Sequence, residues 1–222
     1  EPSLGNPYGI RYGGKFVSQD LAKSICEFAT IRTHAGAAFP ARRRGLKVVE
    51  IGAGYGRLAY LFAEVLENVA YHIIDLPPAL LVAEEYLAAL YGRAAIAPFQ
   101  PGSFTAEEFR DRTAGKRFAF FTANQIESVP DDAFDLAVNV DSFGEMQDAS
   151  VRNYAMHLAR VTKKKGGHIY YRNMLAAKFS VQPGETWQAP AFACYHPSGD
   201  WQLRLYRVFP LNPNYFEAVF AL

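Results

Sequence analysis

The sequence predicts a three-layer α/β/α sandwich built on a mostly parallel seven-stranded sheet that ends in an antiparallel hairpin. Short apolar runs alternate with segments of helical periodicity from residue 45 onward, as expected of a parallel sheet with helical crossovers. A glycine-rich turn joins the first of these runs to a helix. The last two β-like runs are separated only by Pro210-Leu211-Asn212-Pro213 and neighbouring residues, a connection too short for a parallel crossover.

The elements follow in a regular order. Residues 1–17 are rich in Gly, Pro, Asn and Tyr, which indicates a loop or arm, and Ser18 then begins a capped amphipathic helix that ends before Gly36. We expect an N-terminal arm and helix over 1–44 and one domain over 45–222. The predicted strands cover 47–51, 70–75, 117–122, 134–140, 166–172, 201–209 and 215–221. The predicted helices cover 58–66, 76–91, 106–112 and 149–161, and an irregular Pro-rich span precedes the hairpin.

Composition excludes several classes of protein. The 222 residues carry 23 basic and 22 acidic side chains, so the net charge of +1 gives no global electrostatic reason to bind nucleic acid or an anionic membrane. The short basic runs 42–44 and 163–165 are interpreted as solvated turns. No apolar stretch is long enough to predict a membrane span, and the first residues do not have the pattern of a signal peptide.

The two cysteines, Cys26 and Cys194, lie far apart in unrelated contexts, which fits a reducing compartment, and we expect the protein to be cytoplasmic. The chain lacks an initiator methionine, which is compatible with a fragment of a longer protein.

The glycine-rich turn is the main functional signal. Glu50-Ile51-Gly52-Ala53-Gly54-Tyr55-Gly56-Arg57 stands between a strand and a helix, where bare backbone approaches a ligand closely and offers N–H groups. The next strand ends at Asp75, whose carboxylate suits the two hydroxyls of a ribose. The alternative is that Asp75 caps the helix that begins at Leu76. The two features together predict a nucleotide-type ligand site.

The segment Val49–Ala59 resembles the first motif of the class I S-adenosylmethionine-dependent methyltransferases, and Ile73-Ile74-Asp75-Leu76 resembles their second. The order of elements and the closing hairpin extend this similarity over about residues 45–222. Three shorter strings, Ile74–Pro77, Asp141–Met146 and Tyr171–Asn173, with Gly5-Asn6-Pro7 and the helix after it, are similar to a group of sugar O-methyltransferases. The resemblance implies a Rossmann-like methyltransferase fold and S-adenosylmethionine as the cofactor.

The resemblance also implies roles for single residues. Gly52, Ala53, Gly54 and Gly56 would border the methionine moiety, while Glu50 would fix the loop or reach the amino group through water. Asp75 would hold the ribose, Leu76 would pack on the adenine, and Asn124 would read the adenine amino edge. Asp141, after the fourth strand, would face both methyl donor and acceptor.

Methyl transfer to a hydroxyl needs alignment, exclusion of water and a base or a metal. Asp141 and Glu145 supply two carboxylates beyond a strand end, and His196 precedes the hairpin, so these three are the candidate catalytic residues. Their alternatives are a loop cap for Asp141, a solvated acid for Glu145 and a structural role for His196. No spacing specifies a metal site, and the sequence leaves a magnesium requirement open. Trp187, Tyr195 and Trp201 are candidates for stacking on a sugar or for packing in the core.

The sequence therefore predicts an O-methyltransferase acting on a hydroxyl of a sugar or glycosylated small molecule, with no nucleic-acid or membrane partner. Two alternatives remain: an NAD-dependent oxidoreductase and a methyltransferase-like binding module without turnover. The first is disfavoured because Arg57 stands where the dinucleotide fingerprint has its third glycine. The sequence gives no indication of the oligomeric state.

Overall fold

A computed structural model describes residues 1–36, 45–175, 178–182, 185–197 and 199–222, and in the strands at 178–182 and 185–187 it describes the backbone only. The basic run 42–44, the predicted domain boundary at 44/45 and the side chain of Trp187 lie outside the described residues. In chain order the elements are β1 (Gly9–Tyr12), β2 (Lys15–Ser18), α1 (Gln19–His34), β3 (Leu46–Ile51), α2 (Arg57–Val65), β4 (Val69–Asp75), α3 (Pro77–Tyr91), β5 (Ile96–Ala97), α4 (Ala106–Thr113), β6 (Phe118–Thr122), β7 (Leu136–Val140), α5 (Asp148–Val161), β8 (His168–Met174), β9 (Lys178–Gln182), β10 (Glu185–Gln188), β11 (Gln202–Val208) and β12 (Tyr215–Ala221).

The central sheet has the order β11-β12-β8-β7-β3-β4-β6-β5, which confirms the predicted α/β architecture. Strands β5, β6, β4, β3, β7 and β8 run parallel, and β12 inserts antiparallel between β8 and β11. The described part of the sheet has eight strands where the sequence predicted seven. The additional strand, β5, has only two residues, too few to give a periodic sequence signal.

The N-terminal arm differs from its prediction. Residues 9–18 form a two-stranded antiparallel hairpin, in which Gly9 pairs with Ser18 and Tyr12 with Lys15. The turn uses Gly13 and Gly14, both with positive φ, and two such residues give the backbone twist that a two-residue hairpin turn needs. The glycines that suggested a loop therefore form the turn of a hairpin.

Helix α1 begins as predicted, since the side chain of Ser18 accepts a hydrogen bond from the backbone N–H of Leu21 at 3.0 Å. The buried face of α1 is unusual because it is largely polar. Ser24, Glu27 and Thr30 are all buried, at positions three residues apart that share one side of the helix. This helix therefore docks on the domain through polar groups as well as through Ile31.

The topology fixes where a ligand site can form. The chain leaves β3 toward β4 on one side and later returns to β7 on its other side, so the strand order reverses at β3. Ligands in open parallel sheets bind beyond the carboxyl ends of the strands at such a point. The glycine-rich turn follows β3, Asp75 ends β4 and Asp141 follows β7, so all three meet at this edge. The span after β8, predicted as irregular, includes the hairpin β9–β10.

Candidate active site at the carboxyl edge of the sheet

The glycine-rich turn is held by backbone contacts that depend on glycine. Gly52, Gly54 and Gly56 all have positive φ, at +75°, +58° and +87°. A Cβ atom at Gly52 would lie only 2.1 Å from Oγ of Ser142, whereas one at Gly54 would meet open space. The turn therefore passes against the residues after β7 on one side and presents bare backbone to solvent on the other.

A polar network ties the ends of three strands together. Nδ2 of Asn139, in β7, donates to the carbonyl oxygen of Ile51 at 2.8 Å and to Oγ of Ser142 at 2.6 Å, and Oδ1 of Asn139 accepts from Nδ2 of Asn173, in β8, at 2.7 Å. Oδ1 of Asn173 accepts from the backbone N–H of Gly144 at 2.9 Å. Because Asn139 and Asn173 are fully buried, these bonds fix the turn after β7 relative to the glycine-rich turn.

Asp75 faces the glycine-rich turn across the edge of the sheet. Its Oδ2 accepts from the backbone N–H of Gly54 at 3.0 Å, and its Oδ1 accepts from the N–H of Leu76 at 2.7 Å. Burial raises the pKa of this half-buried carboxyl group, and the two N–H donors oppose that rise. Each carboxylate oxygen keeps a lone pair for a ligand hydroxyl. Leu76, at 64% exposure, is an apolar surface beside this carboxylate.

Two cavities meet at Gly52. The larger, about 400 Å³, is lined by Gly52, Asp75, Leu76 and Ala123, together with the turn residues Ser142, Glu145, Met146 and Gln147, the α5 residues Ser150 and Tyr154, and the strand residues Ile51 and Ile74. The smaller, about 180 Å³, is lined by Asp20, Glu50, Gly52, Ala53, Gly54, Tyr55, Arg57, Val140 and Asp141. The site is therefore a bipartite cleft, with a mixed apolar half beside Asp75 and a strongly charged half beside Glu50 and Asp141.

Glu50 is buried at the base of the smaller cavity. Its Oε2 accepts a hydrogen bond of 2.8 Å from the hydroxyl of Tyr71, which is fully buried. Burial raises the pKa of the Glu50 carboxyl group to about 8, and the hydrogen bond from Tyr71 and the charge of Arg57 offset part of that rise. Glu50 is therefore protonated at neutral pH, and a cationic ligand group in the cavity would favour its ionised form.

Asp141 has a strained backbone and an unevenly satisfied carboxylate. Its φ of +65° is uncommon for a residue other than glycine and is typical of functional sites. Oδ2 accepts from Nη2 of Arg172 at 2.6 Å, whereas the buried Oδ1 has no hydrogen-bond partner among the described residues. Burial raises the pKa of this carboxyl group, and the charge of Arg172 opposes the rise. One carboxylate oxygen of Asp141 is thus left unpaired beside the smaller cavity.

Arg57 lines the smaller cavity, Arg172 binds Asp141 in its wall, and the two arginines share one carboxylate. Nη1 and Nη2 of Arg57 donate to Oε2 and Oε1 of Glu27, each at 3.0 Å. Nε of Arg172 lies 2.6 Å from Oε1 of Glu27 in an ion pair that is not aligned as a hydrogen bond. The guanidinium of Arg172 also lies 4.8 Å and 5.1 Å from the ring centroids of Phe209 and Tyr215.

The structure brings most of the predicted site residues to this cleft. Glu50, Gly52, Ala53, Gly54, Asp75, Leu76, Asp141 and Glu145 all line one of its two cavities. Glu145 is exposed in the wall of the larger cavity. Gly56 does not line either cavity, and a Cβ added there would approach the side chain of Leu87 to 3.1 Å. The ligand roles of these residues stay predictions.

Two predicted site residues lie elsewhere. Asn124 is exposed and accepts a hydrogen bond from the hydroxyl of Thr122, and its neighbour Ala123 lines the cleft instead. The imidazole of His196 packs edge-on against Phe220, which pairs with Ile169 near the start of β8. The backbone N–H of Asp141 bonds the carbonyl oxygen of Arg172, which lies roughly 10 Å further along β8 than Ile169. His196 is therefore not placed beside Asp141.

The structure also shows the surroundings of three other residues that the sequence singled out, Tyr195, Trp201 and Lys163. Tyr195 and Trp201 are buried in an aromatic core, which favours packing over sugar stacking for both. Lys163 forms an ion pair with Asp135 instead of standing free in a solvated turn.

In the described ranges, no group of three or more acidic, histidine or cysteine side chains is arranged to hold a metal ion. None of the helices described is both long and apolar enough to cross a bilayer.

Sequence reasoning missed the charged partners of the site. Glu27, Arg172 and Tyr154 were assigned no role, although Glu27 has a signal in the sequence. Ser24, Glu27 and Thr30 form a polar stripe at helical spacing on α1, and such a stripe looks like a solvent-facing surface until its partners are known. Those partners, Arg57 and Arg172, are distant in sequence.

The family model described as a methyltransferase domain matches residues 22–204. The chain belongs to this methyltransferase-domain family. The match begins within α1, ends within β11 and includes every residue that lines the cleft except Asp20. No curated protein matches the sequence.

Solved structures show the same fold at low identity. PH0226 from Pyrococcus horikoshii has 11% identity and a TM-score of 0.54, covering 87% of this chain and 89% of that chain. A SAM-dependent methyltransferase from Leishmania major has 12% identity and a TM-score of 0.55, covering 91% and 82%. The mitomycin 7-O-methyltransferase MmcR has 14% identity and a TM-score of 0.50, and this chain covers only 54% of its length. These likenesses establish the Rossmann-like methyltransferase fold.

The contact between Gly52 and Ser142 gives a first prediction. Gly54→Ala should cost about 1–2 kcal/mol of unfolding free energy, because alanine must adopt a left-handed backbone in open space. Gly52→Ala should cost roughly 1–3 kcal/mol more, because its Cβ would also overlap Ser142. Urea denaturation of both variants measures the difference. Equal losses would show that the Gly52–Ser142 contact does not restrict the turn.

The raised pKa of Glu50 gives a second prediction. The folded protein holds the Glu50 proton more tightly than the unfolded chain does, so this group's contribution to stability falls as pH rises from about 4.5 to about 8. Relative to Glu50→Gln, the wild type should lose about 1.4 kcal/mol per pH unit in that window. Denaturation of both proteins between pH 5 and pH 8 tests this. The contribution of His72, whose pKa is lowered by burial, is common to both and cancels.

Parallel pH curves for the wild type and Glu50→Gln would contradict the assignment of a protonated, buried Glu50.

Proposed function

We propose that this protein is an S-adenosylmethionine-dependent O-methyltransferase that methylates a hydroxyl of a sugar or glycosylated small molecule. The observation that carries the proposal is the bipartite cleft, in which Asp75 and the bare backbone of the glycine-rich turn share one edge of the sheet with Asp141. Membership of the methyltransferase-domain family supports the cofactor. The saccharide acceptor is supported only by the sequence resemblance at Asp141–Met146 and Tyr171–Asn173.

The residues present fit an adenosine-containing donor. Asp75 offers two carboxylate oxygens to ribose hydroxyls, and the exposed Leu76 offers an apolar face to a base. Across the larger cavity, Tyr154 provides a half-buried aromatic ring. The smaller cavity, with the carboxyl group of Glu50, suits an ammonium group near the donor's methionine end.

When bound, S-adenosylmethionine supplies a methyl group on a positively charged sulfur, so transfer to oxygen forms a C–O bond and leaves a neutral thioether. The protein must hold the acceptor hydroxyl in line and keep water away. Asp141 is the candidate base because it lines the smaller cavity directly after β7 and burial raises the pKa of its carboxyl group. In this arrangement Asp141 takes the hydroxyl proton. Glu145 lines the wall of the larger cavity from the exposed side.

Ligand binding tests the cofactor assignment. We expect calorimetry to detect S-adenosylhomocysteine and to detect no comparable binding of NAD. Asp75→Asn should weaken S-adenosylhomocysteine binding roughly 10- to 100-fold, because a hydrogen bond to a charged group contributes about 1.5–3 kcal/mol. The matched control is Asp111→Asn, an exposed aspartate in α4 away from the cleft. Preferential NAD binding would favour the oxidoreductase alternative and overturn the proposal.

Separate substitution of the two acidic residues tests the catalytic assignment. Asp141→Asn should lower kcat about 100-fold or more, as expected for loss of a general base. Glu145→Gln should lower kcat less than about 10-fold, because this exposed side chain keeps its shape and water replaces its charge. Methyl transfer is measured on sugar nucleotides and oligosaccharides with each variant. Unchanged turnover in both would remove the assignment, and a wild type without turnover would favour a binding module.

A further inference from the structure

Glu27 occupies a position that docking of α1 alone does not explain. Its carboxylate is fully buried between two guanidinium groups, those of Arg57 and Arg172. Removing a buried charge from such a cluster leaves its partners uncompensated, so each member depends on the others. Glu27 therefore connects α1 to both flanks of the smaller cavity.

Arg172 carries this connection to Asp141. The same guanidinium that lies 2.6 Å from Oε1 of Glu27 also donates through Nη2 to Oδ2 of Asp141 at 2.6 Å. The rings of Phe209 and Tyr215 lie near the guanidinium at 4.8 Å and 5.1 Å and restrict its movement. Since Arg172 is almost fully buried, the direction of its fork is set by these neighbours.

We propose that Glu27 is a positioning residue for Asp141, acting through the arginine that the two carboxylates share. It directs the guanidinium of Arg172 so that the arginine binds only Oδ2 of Asp141 and leaves Oδ1 without a partner among the described residues. The negative charge of Glu27 also compensates part of the positive charge of Arg172, so that the arginine does not fully neutralise the carboxylate of Asp141. The inference deepens the proposed function and rests on it, because the acceptor-side role of Asp141 belongs to that proposal.

The charge around Asp141 distinguishes this role from simple packing. Arg172 from β8, Arg57 from α2, Glu27 from α1 and Tyr215 from β12 all face Asp141. Asp20 and Glu50 line the same cavity. Glu27 raises the pKa of Asp141 and the two arginines lower it. Loss of the Glu27 charge should therefore lower the pKa of Asp141 and move the acidic limb of the activity profile to lower pH.

The experiment compares Glu27→Gln with Glu217→Gln. Glu217 is a matched control because it is equally buried and accepts hydrogen bonds from Tyr170 at 3.0 Å and from Arg207 at 2.6 Å. Both variants should lose stability. Only Glu27→Gln should lower kcat about 10-fold or more and shift the acidic limb of kcat/KM downward. A kcat and pH profile unchanged in Glu27→Gln, or changed alike in both variants, would overturn the proposal.

A double-mutant cycle tests the path through Asp141. In an Asp141→Asn background, Glu27→Gln should cost less than about 2-fold in kcat, because its effect has lost its target, whereas any effect of Glu217→Gln should be the same in both backgrounds. Independent effects of Glu27→Gln and Asp141→Asn would overturn the inference. If Glu27→Gln does not fold, Glu27→Asp replaces it: the retained charge should preserve the pH profile while the shorter side chain lowers kcat.

A second readout needs no turnover. In urea denaturation without ligand, the midpoint shift caused by Glu27→Gln should differ between the wild-type and Asp141→Asn backgrounds, and the shift caused by Glu217→Gln should not. A wild type that transfers no methyl group would count against the proposed function alone, while the denaturation cycle still decides whether Glu27 and Asp141 are linked. Equal midpoint shifts for Glu27→Gln in both backgrounds would overturn that link.

Discussion

The site depends on the polar network that joins the ends of β3, β7 and β8. Asn139 and Ser142 both bond the carbonyl oxygen of Ile51, and Asn173 holds Asn139 and the backbone of Gly144. These groups are buried where the sheet ends, so each unmade bond would leave a desolvated polar atom. The network therefore favours one arrangement of the glycine-rich turn and the turn after β7, and the cleft lies between those two turns.

The charges beside the cleft are arranged in alternation. Asp141, Arg172, Glu27 and Arg57 follow one another as acid, base, acid and base, so each charge in the cluster has a neighbour of opposite sign. Glu50 lies next to this series and avoids adding a charge by keeping its proton near neutral pH. A cationic group in the smaller cavity would favour the ionised form of Glu50.

The sequence predicted the fold and the positions of the glycine-rich turn and Asp75 because those features are local. The glycine-rich turn, Asp75 and the alternation of strands with helices each occupy a short window with a periodic or motif signal. Glu27 and Arg172 were not predicted because their roles come from contacts across 145 residues of chain. Asn124 and His196 do not line the two cavities, since adjacency to a strand end or hairpin does not fix where a side chain lies, and their ligand roles stay predictions.

The neighbours of Arg172 indicate the order in which parts of the protein fold. They come from α1, from the residue after β7 and from the final hairpin, where Phe209 and Tyr215 close around the guanidinium. Contacts of such long sequence separation form late, since much chain must be ordered before they are rewarded. During synthesis on the ribosome, the earlier strands can pair while the cleft is still incomplete. The surroundings of Arg172 are complete only after β12 has paired with β8 and β11.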